Sequence, residues 1–158
     1  GFMAVHQRRL SEELRVPVFL SSLIQISFIL AMIGEGAKVG VVTADSTRLD
    51  DALLQEIGTA DPGRVAVAGL QDCPSFYPFA IEETGTLDAE AVEAEVVAAA
   101  EELVARETSV RAMLLECSLL PPYAASVQEA VGLPVFDYVT MIDYVFSAVV
   151  RRRFSGFM

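Results

Sequence analysis

Cys117 is the residue best placed to do chemistry. It follows an apolar run from Val110 to Glu116 and precedes a proline pair, Pro121-Pro122, that suits the start of a helix. A strand running into a helix puts the thiol at the strand's carboxyl end, where parallel-sheet proteins bind ligands, and a helix N-terminus just beyond lowers a thiol's pKa. Such a thiol can take or give a proton, or attack as a nucleophile. The plainer reading is a small buried hydrophobe, a common fate of free cysteine. Four polar residues lie near enough in sequence to orient the thiol or read a substrate: Glu116, Tyr123, Asp137 and Asp143. Each also has an ordinary reading as a surface or capping residue. Cys73 falls in a loop between strands and reads as a surface or core thiol. His6, the single histidine, reads as a helix residue, and two cysteines with one histidine offer no zinc-like spacing.

The elements that must position Cys117 alternate between valine-rich runs and helical patterns, which predicts βαβ units around a parallel sheet. Residues 3–15 suit a helix, Pro17 to Ser21 a buried strand and Ser22 to Ile33 a second helix closed by Gly34 and Gly36. Lys38 to Ala44 is a continuous apolar strand, after which Asp45 or Ser46 caps a helix carrying Leu49, Leu53 and Ile57. Arg64 to Leu70 is the next strand, and Gln71 to Gly85 is a long loop of the kind that closes over ligands. Leu87 to Glu107 is the clearest helix, with Val92, Val96, Ala99 and Leu103 inward. A helix carrying Val127 and Val131 ends at Gly132, Pro134 to Val139 is a short last strand, and a helix from Thr140 turns Ile142, Val145, Phe146 and Val149 inward.

Composition narrows the function classes. The chain has 158 residues, 53% of them hydrophobic and 21% charged, which suits one globular unit with a sheet buried on both faces. The net charge of −11 repels polyphosphate, so no nucleic-acid partner is expected. The apolar stretch Val16 to Ile33 is broken by Pro17, Ser21, Ser22, Gln25 and Ser27, so no membrane span is expected either. The small number of cysteines and the lack of a secretory leader point to a reducing, cytoplasmic setting.

The segment Leu114 to Thr140, LLECSLLPPYAASVQEAVGLPVFDYVT, resembles the second half of the aspartate/glutamate racemase superfamily, the group that includes hydantoin racemases. The shared order is a strand ending in cysteine, a proline-containing helix start, a short helix, then Gly132-Leu133-Pro134-Val135 opening the last strand. PVFLSSLIQI followed by KVGVVTADSTRL looks like the family's linker helix and the first strand and loop of its second domain.

The resemblance implies an α/β, flavodoxin-like fold with helices on both faces of a parallel sheet. It implies a remnant of a first domain with a linker helix over residues 1–36, a second α/β domain over 37–135, and a C-terminal helix over 136–158 returning toward the first domain. It implies cofactor-free proton transfer by Cys117 next to the carboxylate of a small amino acid or related acid. Thr43, Ser46, Thr47 and Ser118 match positions that hold that carboxylate, and a homodimer is admitted. In the racemase pattern a first cysteine directly precedes a Gly-Phe pair like Gly1-Phe2, so that cysteine and the N-terminal part of the fold are expected upstream of Gly1. Glutamate racemases carry Cys-Thr-His where this chain has Cys117-Ser118-Leu119, which argues against that enzyme. The alternatives are a single-cysteine decarboxylase or diacid isomerase on the same fold, or a non-catalytic relative that binds a small acid.

Overall fold

Four short runs of β-branched and small residues form the strands: β1 (Lys38–Thr43), β2 (Val65–Gly69), β3 (Val110–Leu115) and β4 (Val135–Phe136). In the computed structural model, which describes residues 2–156, they pair in the order β2-β1-β3-β4 with every pairing parallel. The fold is therefore α/β, as expected. Among the described residues seven α-helices accompany the strands: α1 (Gln7–Glu13), α2 (Ile26–Met32), α3 (Asp51–Glu56), α4 (Phe76–Ala80), α5 (Ala89–Arg106), α6 (Ala124–Val131) and α7 (Tyr138–Val149).

Strand alternation divides the core into two. Val42, Met113 and Leu115 pack with Val92, Val96, Ala100 and Leu103 of α5 and Val127 of α6 on one face. Val39, Val41, Ala112 and Leu114 pack with Ile26, Ile29 and Leu30 of α2 and Leu54 of α3 on the other. Gly40 allows the first core to close, since a Cβ there would lie 2.7 Å from the Met113 sulfur. No helix among the described residues is long and apolar enough to cross a membrane, and the Val16 to Ile33 stretch is spent on an irregular segment and the short α2.

Several local expectations change. Pro17 to Ser21 is not a strand: Gln7 brackets it, donating to Val18 O at 2.8 Å and accepting from Leu20 N at 2.9 Å, and the Tyr138 hydroxyl donates to Leu20 O at 2.8 Å. Side chains thus supply the bonds that a ladder would have made. The helix after β1 breaks in two, because Asp45 caps only a 3-10 turn (Ser46–Arg48) and Asp50 recaps the chain for α3, accepting from Leu53 N at 2.8 Å. The long loop contains α4, whose first N–H groups are taken by a carboxylate from another helix: Glu95 of α5 accepts from Ser75 N and Phe76 N, each at 2.8 Å. The last strand stops at Phe136, because Asp137 and Thr140 form a capping box that starts α7 at Tyr138. Ile142, Phe146 and Val149, expected inward, are exposed, and Met141 is the buried residue of α7.

Candidate active site

A parallel sheet gathers the carboxyl ends of its strands along one edge, so the ends of β1 and β3, adjacent in the sheet, must lie side by side. The ladder extends one residue past β3, with Glu116 N donating to Val42 O at 2.8 Å, and Cys117 is the next residue out. Thr43 closes β1 and is buried. Its hydroxyl donates to Glu116 Oε2 at 3.1 Å, and the Ser21 hydroxyl donates to Glu116 Oε1 at 3.1 Å. Ser21 in turn accepts from Leu23 N, and Ser22 Oγ donates to Leu115 O at 3.3 Å. Glu116, only 1% exposed, therefore fastens three pieces of chain together immediately beside the thiol.

Above these residues lies a cavity of about 550 Å³, within the size range of small-molecule sites. Glu116, Cys117, Ser118 and Thr43 line one part of it, Asp45 and Arg48 another, and Tyr138 and Tyr77 add two aromatic rings. The turn after β1 is built locally: Asp45 accepts from the Thr47 hydroxyl at 2.6 Å, from Thr47 N at 2.9 Å and from Arg48 Nε at 3.2 Å. The Thr47 hydroxyl is the main reason the Asp45 carboxyl ionises below its usual range. Arg48 bonds to Asp45 through Nε, which leaves its terminal nitrogens outside that pair.

The cavity therefore collects Cys117, Thr43 and Ser118 of the sequence-predicted set. Ser46 is turned aside, its N–H and hydroxyl both bonded to Gln71 Oε1 at 3.1 and 3.3 Å. Gly69 makes room for that arrangement, since a Cβ there would collide with Gln71 and Ser46. Thr47 serves the turn through Asp45 instead of the cavity. Of the four neighbouring polar residues, Glu116 lines the site, Asp137 caps α7, Tyr123 is buried, and Asp143 is exposed on α7.

The lowering of the Cys117 pKa expected from a helix start is reversed. Burial pushes the thiol above its ordinary value, the Leu119 N–H opposes this, and the Glu116 charge adds to it. The element that follows is a three-residue 3-10 turn, Pro121–Tyr123, whose two prolines carry no N–H to offer the thiolate. Sequence reasoning passed over Asp45, Arg48, Tyr77 and Tyr138. The available signals were the loop that houses Tyr77 and the position of Tyr138 just past β4, another strand end on the same edge.

No family model matches the chain. Among curated proteins, it is 32% identical over 148 residues to a dimethylsulfoniopropionate lyase of Durusdinium sp. clade D, covering 91% of this chain and 48% of that protein. It is 32% identical over 157 residues to dimethylsulfoniopropionate lyase 5 of Emiliania huxleyi (94% and 30%), and 33% identical over 149 residues to lyase 7 of the same organism (89% and 43%). The chain thus spans less than half the length of these curated relatives. Among solved structures it resembles allantoin racemase from Pseudomonas fluorescens, with a TM-score of 0.58 and 25% identity, covering 92% of this chain and 57% of that one. Over about nine-tenths of its length, the chain is similar both to proteins named as lyases of a sulfonium acid and to a racemase with the parallel α/β architecture described above.

Proposed function

We propose that the protein is a cofactor-independent lyase in which Cys117 removes the proton next to the carboxylate of a small acid and a group on the adjacent carbon departs. The observation that carries this reading is the emergence of the Cys117 thiol at the end of β3 into a cavity that also holds Arg48 and Thr43. Arg48 anchors the substrate carboxylate, and the Cys117 thiolate takes the α-proton. The electrons of that C–H bond form the new double bond, and the bond to the leaving group breaks with its pair. For dimethylsulfoniopropionate, the substrate in the relatives' names, the leaving group is neutral dimethyl sulfide and the other product is acrylate. The proton passes from Cys117 to solvent.

Racemisation, suggested by the likeness to allantoin racemase, begins with the same abstraction but then needs a second acid-base group on the opposite face. Elimination needs only one such base. The names of the curated relatives favour the lyase. Incubating the full-length protein with dimethylsulfoniopropionate should release dimethyl sulfide and acrylate in equal amounts. Cys117→Ser should slow release by about 10²- to 10⁴-fold. Release at an unaltered rate by Cys117→Ser would remove the thiol from the reaction.

A further inference from the structure

The connection from β2 to α5 contains α4, which supplies part of the cavity wall. A helix of five residues is marginal alone, and Pro78 at its centre has no N–H to give. Tyr77, Ala80 and Ile81, spaced i, i+3 and i+4, share a face and line the cavity. Phe76 is fully buried in the core on the α5 side of the sheet. Among the described residues, the polar tie of α4 to another element is Glu95 of α5: one carboxylate oxygen accepts from Ser75 N and the other from Phe76 N, each at 2.8 Å. These are N–H groups that a helix start leaves open, and the helix dipole also favours a carboxylate there. The other bonds of the segment are local, with Tyr77 N donating to Cys73 O at 2.9 Å, Ile81 N to Tyr77 O at 2.9 Å and Thr84 N to Pro78 O at 2.8 Å. Residues 82–88, which follow, are all exposed, so the far end of α4 gains little from packing.

We propose that Glu95 is a positioning residue of the site: by clamping the start of α4 it keeps Tyr77 and Ile81 in the cavity wall and so limits the size of molecule that reaches Cys117. The inference rests on the reading of Cys117 as the reacting group and adds what controls access to it. Apolar burial is non-directional, so Phe76 fixes where α4 sits but not how it is turned. Two N–H bonds to the two oxygens of one carboxylate are directional and fix the turn. The clamp itself stands on a rigid support, because Glu95 lies in the 18-residue α5 between the buried Val92 and Val96. Without it both N–H groups lose their partner, and α4 is free to swing Tyr77 and Ile81 outward while the strand ends stay in place.

The test follows alkylation of Cys117 in the full-length protein carrying Cys73→Ser, read by mass spectrometry of the Cys117 peptide, with a small reagent, iodoacetamide, and a bulky one, a pyrenyl maleimide. Glu95→Ala should speed the bulky reaction by roughly 10- to 100-fold, as the loss of charge-assisted hydrogen bonds allows, and the small one by less than about twofold. Glu95→Gln keeps one acceptor oxygen and should give a smaller gain in the same direction. Tyr77→Ala, which thins the wall and leaves the clamp, should also favour the bulky reagent. Hydrogen exchange in Glu95→Ala should quicken at residues 76–84 and stay unchanged in β1 and β3. Equal gains for the two reagents, or faster exchange through the strands, would mark Glu95 as general support for the fold and overturn the proposal. An unchanged bulky rate in Glu95→Ala or in Tyr77→Ala overturns it too. None of these readouts needs turnover: a protein that meets them without releasing dimethyl sulfide sinks the lyase reading alone, and one that releases it but fails them sinks the clamp alone.

Discussion

The ends of β1 and β3 lie next to each other at the cavity, yet they are built in opposite ways. At the end of β3, Glu116 is held by Ser21 and Thr43, which lie 95 and 73 residues away in sequence, and it is almost fully buried. At the end of β1, Asp45 is held by Thr47 and Arg48, two and three residues away, in an exposed turn. One end is fixed by the tertiary fold, the other by local turn chemistry. Buried polar networks carry high stakes when broken, whereas exposed turns are screened by water. The two ends should therefore respond very differently to perturbation.

The largest expected effect is on pH dependence, and it belongs to the β3 end. With Cys117 as the proposed base the active form is the thiolate, and burial with the Glu116 charge raises the thiol pKa, so at neutral pH that form should be a minority. The rate kcat/KM should rise about tenfold per pH unit until pH passes the raised thiol pKa, then level off. Alkylation of Cys117 in a Cys73→Ser background should follow the same curve. A profile flat from pH 6 to 9 (about neutral, by the ordinary thiol range) would mean that Cys117 is not the titrating base.

Next comes Glu116 itself. Glu116→Ala leaves two buried hydroxyls, those of Ser21 and Thr43, without their acceptor, and should cost about 1–3 kcal/mol of stability in denaturant unfolding. Glu116→Gln retains an acceptor and should cost less. Equal losses in the two variants would mean that the charge, and not the hydrogen bonding, matters to the fold. The smallest effect should come from the β1 end. Asp45→Ala removes an exposed Arg48 contact and a turn bond, so its stability cost should be about 1 kcal/mol or less. A loss as large as that of Glu116→Ala would erase the contrast between the two ends.

The same contrast explains what could be read from the sequence. The α/β alternation, the parallel sheet and the placement of Cys117 after an apolar run depend on periodicity, and periodicity is local. Asp45 as a cap was legible too, although Asp50 competes for the following helix and leaves Asp45 only a 3-10 turn. The Ser21–Glu116–Thr43 junction was not legible, because nothing near Glu116 in sequence names partners so far away. Tyr138 was hidden by a misplaced boundary: the run from Pro134 to Val139 reads as strand until the Asp137–Thr140 capping box is recognised. The apolar face of α7 was legible only as a stripe. Its spacing marks a stripe, but burial depends on what packs against it, and Phe146 and Val149 are exposed.

The bond from Ser21 to Glu116 also bears on the order in which the molecule assembles. Because it joins residues 95 positions apart, the loop it closes is among the longest in the chain, and its entropic cost is met before the bond contributes anything. Contacts of that span form late, after α5 has docked on β1 and β2 through neighbours closer in sequence. The cavity floor is then expected to form last, after the folding transition state. Weakening it would shorten the lifetime of the native protein by speeding unfolding, with little effect on how fast the chain folds.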